Sequence, residues 1–78
     1  MEVTELVNQM ARALVDKPEM VTVHELKGRN TSVIELRVAK EDIGKVIGKK
    51  GRNAEALRTI LGAAATKERK TYVLEIID

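Results

Sequence analysis

The sequence predicts an α+β fold of order α-β-β-α-α-β, with a three-stranded mixed sheet and three helices on one of its faces. Three observations carry this reading. An apolar stripe at three- and four-residue spacing opens the chain (Val3, Leu6, Val7, Met10, Ala11, Leu14). Two runs rich in β-branched residues follow, divided by Gly28-Arg29-Asn30. Two helical segments, separated only by Gly48-Lys49-Lys50-Gly51, then lead to a last β-prone run.

The first helix is placed at Val3–Asp16. Lys17-Pro18 ends it, because a residue before proline disfavours the helical region. Strands are expected at Met20–Lys27 and Thr31–Ala39, with the Gly28–Asn30 segment as a hairpin turn. In the second strand Ile34, Leu36 and Val38 alternate with Glu35 and Arg37, so one face is buried and the other wet. A short second helix, Lys40–Ile47, has Glu41 and Asp42 where they suit the dipole of its first turn. The third helix is placed at Arg52–Ala65, with Ala54, Leu57, Ile60, Leu61 and Ala64 as its buried stripe. Thr66–Lys70 reads as a polar connection to a strand at Thr71–Ile77. Two helices between the second and last strands are enough for a parallel, right-handed crossover.

The 78 residues are expected to form one small domain, spanning 1–78. A chain this short buries only about 60% of its unfolded surface, so its stability margin is small. The hydrophobic share of 44% still supports a core. There is no cysteine, which excludes disulfides and thiolate metal sites. The acidic start, Met1-Glu2-Val3-Thr4-Glu5, is unlike a targeting segment. The apolar runs fall far short of the roughly 20 residues that span a bilayer. A soluble, cytoplasmic protein without a membrane partner is expected. The net charge of +2 hides an uneven distribution. Residues 37–58 carry seven basic and three acidic side chains, and no acid interrupts Lys45–Arg52. Such a field attracts polyanions.

The chemistry concentrates at Gly48-Lys49-Lys50-Gly51. Glycine allows backbone conformations that other residues resist and lets a ligand approach the main chain. The helix that follows turns its unpaired N–H groups and positive dipole end to the same spot. With Lys49, Lys50 and Arg52 this makes a site for phosphates. A helix-capping role alone would account for Gly48 but not for Gly51 or the charge. Lys45 lies one turn before the loop, where it either supports it or faces water. Arg58, six residues after Arg52, either adds charge or is a solvated helix residue. Ile43, Val46 and Ile47 divide between core and ligand face in a way the sequence leaves open. Gly44 either lets the second and third helices pack closely or lets strand backbone approach the second helix. Although Gly44 and Gly48 spell GxxxG, Lys45 lies between them and no long apolar span surrounds them, so a membrane-dimer motif is excluded.

Other chemistries find little support. With one Tyr and no Phe or Trp, the chain lacks the stacked aromatics of an RRM sheet or an OB-fold channel. Tyr72 is read as packing. His24, the only imidazole, is read as structural. No nucleophile, base and orienting acid occur together, so no catalytic residues are assigned. No metal or cofactor is expected, and no Walker A motif occurs. Gly62-Ala63-Ala64-Ala65 makes a thin helix end, which either seats a dimer seam or packs within its own protomer.

The segment Ile43-Gly44-Lys45-Val46-Ile47-Gly48-Lys49-Lys50-Gly51-Arg52 resembles the signature of KH domains. The helix and strand ahead of a βααβ unit are similar to the type II arrangement. Within that fold, Asp42-Ile43-Gly44-Lys45, Arg52 and Leu57-Arg58 resemble the KhpA (YlqC) family of small single-KH bacterial RNA-binding proteins. The resemblance implies that Gly48–Gly51 contacts the nucleic-acid backbone. It implies a groove for about four nucleotides, lined by Ile43, Val46 and Ile47 with part of the third helix and the second strand. Thr66–Lys70 would be the variable loop. The implied contact set is Ile43, Gly44, Lys45, Val46, Ile47, Gly48, Lys49, Lys50, Gly51, Arg52 and Arg58. Single-stranded RNA is the implied partner, and ssDNA is not separated from it because no residue is assigned to a 2′-hydroxyl. The family also implies a non-enzymatic global RNA chaperone or post-transcriptional regulator. It implies a homodimer, or a heterodimer with a KhpB/Jag-like KH protein. The rival reading is a protein-interaction or ribosome-assembly adaptor with the same fold.

Overall fold

A computed structural model describes residues 2–78. The elements run α1 (Val3–Leu14), β1 (Thr22–Lys27), β2 (Thr31–Arg37), α2 (Ile43–Ile47), α3 (Arg52–Glu68) and β3 (Thr71–Ile77), with 3-10 turns at Pro18–Met20, Lys40–Asp42 and Lys49–Gly51. The sheet order is β1-β2-β3. β1 pairs antiparallel with β2 and β3 pairs parallel with it, so the sheet is mixed. The order and class are those the sequence predicts.

Alternation in β2 explains the layering. Ile34 and Leu36 are fully buried, and with Leu74 of β3 they meet Val7 and Ala11 of α1, Val46 of α2 and Leu57 and Leu61 of α3. The opposite sheet face is open: Leu26 and Val73 are 47% and 43% exposed, and the strand register sets both beside Val33. All three helices therefore contribute to one core on one face. Tyr72 packs against that core and donates its hydroxyl to a Glu68 carboxylate oxygen at 2.6 Å. His24 is exposed on the open face of β1, opposite Glu35.

Several boundaries differ from the sequence expectation, each for a local reason. α1 stops at Leu14, not Asp16, and Val15 is already extended. The backbone N–H groups of Asp16 and Lys17 instead donate to the Asp42 carboxylate, at 3.3 and 3.0 Å. β1 starts at Thr22, because Pro18–Met20 forms a turn with proline at its first position. β2 ends at Arg37, and Val38 and Ala39 lead into the next turn. The predicted second helix is a 3-10 turn followed by five α-helical residues. α3 continues through Glu68, three residues past Ala65. Thr66, Lys67 and Glu68 are polar because they are exposed, not because the helix has ended. Within the stripe predicted for α3, Ile60 is 38% exposed and Ala64 half-buried, while Ala65 joins Ala54, Leu57 and Leu61 in the core. At 100° per residue, Ile60 turns away from the line through Leu57 and Leu61.

Asp42 is the most constrained charge. It is 1% exposed, accepts both linker N–H groups, and lies 3.6 Å from the Lys45 ammonium. It stands at the N-terminal end of α2, where its charge suits the helix dipole, but its side chain makes no capping hydrogen bond there. Burial pushes its carboxyl pKa up, but the N–H groups of Asp16 and Lys17 and the Lys45 ammonium outweigh that and hold it below the usual value. A depressed folded pKa adds stability that is present above the unfolded value and lost as pH falls through the folded one. Asp42→Asn should therefore lower the melting midpoint at pH 7 by roughly 5 °C or more. The gap should begin to narrow below about pH 4, where the unfolded carboxyl takes up its proton, and close only once the pH is below the lowered folded-state pKa, where the wild-type carboxyl is neutral as well. A gap that is constant from pH 7 to pH 3 in thermal unfolding would refute the assignment.

Candidate nucleic-acid interface

The site is built where α2 stops. Gly48 takes φ 79° and ψ 173°, a backbone region that disfavours any side chain. Its amide donates to Gly44 O at 2.9 Å and closes α2. A Cβ on Gly48 would lie 2.6 Å from Asn53 Cγ. Asn53 occupies that space because its Nδ2 donates to Lys45 O at 2.9 Å, tying the first turn of α3 to the last turn of α2. Sequence reading does not single out Asn53. The available signal is an amide side chain two residues after a left-handed glycine.

Lys50 (φ 57°) and Gly51 (φ 75°) both adopt positive φ, and the chain re-enters a helix at Arg52. A Cβ on Gly51 would meet no atom within 4 Å, so the requirement for glycine there is conformational rather than steric. Gly51 N donates to Gly48 O and Arg52 N to Lys49 O. The amides of Lys49 and Lys50 have no backbone acceptor among the described residues. They lie beside the exposed side chains of Lys49, Lys50 and Arg52, none of which forms an ion pair among the described residues. The result is unused N–H donors next to three uncompensated cations, a combination that suits an anion.

The remaining predicted residues are distributed unevenly. Lys45 contributes its charge elsewhere: its ammonium lies 3.2 Å from Asp16 and 3.6 Å from Asp42. The hydrogen bond to Asp16, above all, raises its pKa. Val46 is fully buried and belongs to the core, Ile43 is half-buried against it, and Ile47 is 39% exposed beside the loop. Ile47 is thus the residue of the three that offers most apolar surface. Gly44 is exposed with nothing within 4 Å of a Cβ, so neither close helix packing nor an approaching strand explains it. Arg58 is exposed and forms no ion pair among the described residues. β2 is central in the sheet and its inward side chains, Ile34 and Leu36, are fully buried. β3, an edge strand of the sheet, packs against α3. The variable connection shrinks to Arg69 and Lys70, because α3 runs through Glu68.

Among the described residues no group of three or more His, Asp or Glu side chains is disposed to hold a metal ion, and no helix is long and apolar enough to cross a membrane.

The chain is 56% identical over 73 residues to the RNA-binding protein KhpA of Caldanaerobacter subterraneus subsp. tengcongensis, covering 94% of this chain and 97% of that protein. It is 55% identical over 74 residues to the RNA-binding protein KhpA of Treponema pallidum, covering 95% and 92%. Its fold matches part of the crystal structure of Era in complex with MgGDPNP and nucleotides 1506–1542 of 16S ribosomal RNA. The TM-score is 0.60 at 23% identity, over 96% of this chain and 29% of that one. The family model described as "KhpA/KhpB, KH domain" matches residues 4–76. With the helix–loop–helix and the mixed sheet both in place, the chain belongs to the KhpA/KhpB KH-domain family.

Proposed function

We propose that the chain is a non-enzymatic protein that binds single-stranded RNA through the Gly48–Gly51 loop. The observation that carries the reading is that, among the described residues, amides at Lys49 and Lys50 without a backbone acceptor stand beside three exposed cations without an ion-pair partner. The names of the relatives, RNA-binding proteins of the KhpA type, support it. The loop amides bind a phosphate, Lys49, Lys50 and Arg52 neutralise it and its neighbours, and Ile47 gives a base an apolar surface. Lys45 holds the loop's support in place through Asp16 and Asp42. Contacts of this kind read the backbone, which suits a cytoplasmic RNA chaperone or post-transcriptional regulator of broad specificity. The family description, which joins KhpA to KhpB, supports pairing with a KhpB/Jag-like KH protein. For a homodimer, the exposed Gly62 and Ala63 offer a thin face on α3, while Ala65 is committed to its own core.

Lys49→Asp/Lys50→Asp should weaken binding to single-stranded oligonucleotides of any sequence by about 10- to 100-fold at low salt. The melting midpoint should hardly change, since neither side chain is buried or paired. With about three phosphates neutralised, the wild-type log–log salt slope should lie near −2. Equal affinity of variant and wild type in fluorescence anisotropy would overturn the reading; recovery of a protein partner without RNA after cross-linking in cells would favour the adaptor instead.

Gly44→Ala should raise stability by about 0.5–1 kcal/mol, because it adds a better helix former where the space is empty. A destabilised variant in chemical denaturation would show that Gly44 is needed by the fold after all. A stabilised variant with weaker RNA binding would place the ligand against the Gly44 face of α2.

A further inference from the structure

α2 ends on a carbonyl that its own backbone does not serve. Gly48 N donates to Gly44 O at 2.9 Å and closes the helix. Were the helix continued by one residue, Lys49 N would donate to Lys45 O, four positions back. It is not continued, because Gly48 takes φ 79° and ψ 173°. Asn53 Nδ2 fills the place instead and donates to Lys45 O at 2.9 Å. A side chain of α3 thus satisfies a carbonyl of the kind that a helix end leaves without a partner. Lys49 N, the donor it replaces, has no backbone acceptor among the described residues.

Two further observations show that this exchange is built into the junction. Asn53 is half-buried, and a Cβ on Gly48 would lie 2.6 Å from its Cγ and 2.8 Å from its Nδ2. Gly48 must therefore lack a side chain to admit the Asn53 amide, as well as to hold its own positive φ. The acceptor also belongs to a residue that is held in place. The Lys45 ammonium lies 3.2 Å from Asp16 and 3.6 Å from Asp42. The amides on the far side of the loop are used in turn, Gly51 N by Gly48 O and Arg52 N by Lys49 O.

We propose that Asn53 is a positioning residue for RNA binding: by taking Lys45 O, it releases the Lys49 amide for a phosphate. The inference rests on the RNA-binding reading above. In this role Asn53 adds no charge and touches no ligand. It prepares the loop before the ligand arrives, which lowers the ordering cost of binding. Without the Asn53 donor, Lys45 O is unserved, and Lys49 N, the next backbone donor in line, closes onto it. The amide then binds protein instead of phosphate.

The test uses two variants. Asn53→Ala removes the donor and the bulk, and Asn53→Leu removes the donor but keeps the bulk. Binding to hexauridylate is followed by fluorescence anisotropy across a salt series, and solvent exchange of the Lys49 amide by NMR without RNA. Both variants should bind about tenfold more weakly. Their log–log salt slope should stay near −2, because Lys49, Lys50 and Arg52 all remain. Exchange of the Lys49 amide should slow by about tenfold or more in both, as it closes onto Lys45 O. A side chain that only stabilised the fold would shift the melting midpoint without protecting that amide. Wild-type affinity in Asn53→Leu would overturn the proposal even if Asn53→Ala binds weakly, since bulk and not the donor would then matter. A Lys49 amide that exchanges as fast in both variants as in wild type would overturn it too. The Lys49→Asp/Lys50→Asp protein separates the two readings. If it loses hexauridylate while both Asn53 variants keep wild-type affinity, the loop stands and this role of Asn53 falls. If it binds like wild type, the loop reading falls and the role of Asn53 in RNA binding falls with it.

Discussion

A carboxylate that is 1% exposed fixes the geometry on which the rest depends. Asp42 takes the two N–H groups of the chain leaving α1 and faces the Lys45 ammonium of α2. Removing a charge from water is costly unless hydrogen bonds and a counter-ion replace the lost hydration. Here both are supplied, by segments 25 and 26 residues away in sequence and by the next helical turn. The arrangement holds α2, five residues long and too short to be stable alone, at a fixed distance from α1. Lys17 and Glu41, also ion-paired, span the same junction from the solvent side. Exposed pairs of that kind add little by themselves. Their value is that they keep the linker over Asp42.

The loop depends on that anchor because its own backbone is unfavourable. Gly48, Lys50 and Gly51 have positive φ within four residues. Lys50 lacks the freedom of glycine, so its conformation must be imposed by the helices on either side. Asn53 provides the link, by binding Lys45 O across the turn. The same geometry divides the lysines by task. Lys45 is neutralised by Asp16 and Asp42 and stabilises the frame, whereas Lys49 and Lys50 form no ion pair among the described residues and leave the frame's positive field open to solvent.

Legibility in the sequence follows the range of the forces involved. Element order, β2 alternation and the position of the glycine loop are encoded in local periodicity and in residues with unusual backbone freedom, and the structure has all three. Helix ends are less legible, because they depend on distant partners. Nothing near Leu14 announces that Asp42 will take the next N–H groups, and nothing in Thr66-Lys67-Glu68 distinguishes an exposed helical turn from a loop. The apportioning of Ile43, Val46 and Ile47 requires three dimensions for the same reason. Lys45 shows the limit most clearly. By spacing alone it belongs with the loop lysines, and only the folded linker, which brings Asp16 beside it, assigns it to the scaffold.

The proposed activity is limited in kind by the side chains that are present. Amides and ammonium groups distinguish phosphate from solvent but not one base from another. Base discrimination needs polar groups aimed at base edges, or aromatic platforms whose stacking favours certain bases. Near the loop the apolar surface consists of Ile47, Gly44 and the aliphatic parts of lysines, and on the adjoining face of α3 the groups able to donate or accept in a fixed direction are few: Arg52, Glu55 and Thr59 line a shallow cavity with Ala56 and Ile60. The only aromatic ring, Tyr72, lies against the core, and its hydroxyl is committed to Glu68. Charge at the loop can raise affinity for a phosphate backbone. It cannot set a sequence. On this chemistry, selectivity among RNAs comes from the availability of unpaired strand, from the few polar side chains of α3 beside the loop, or from a partner protein that supplies further base-reading groups.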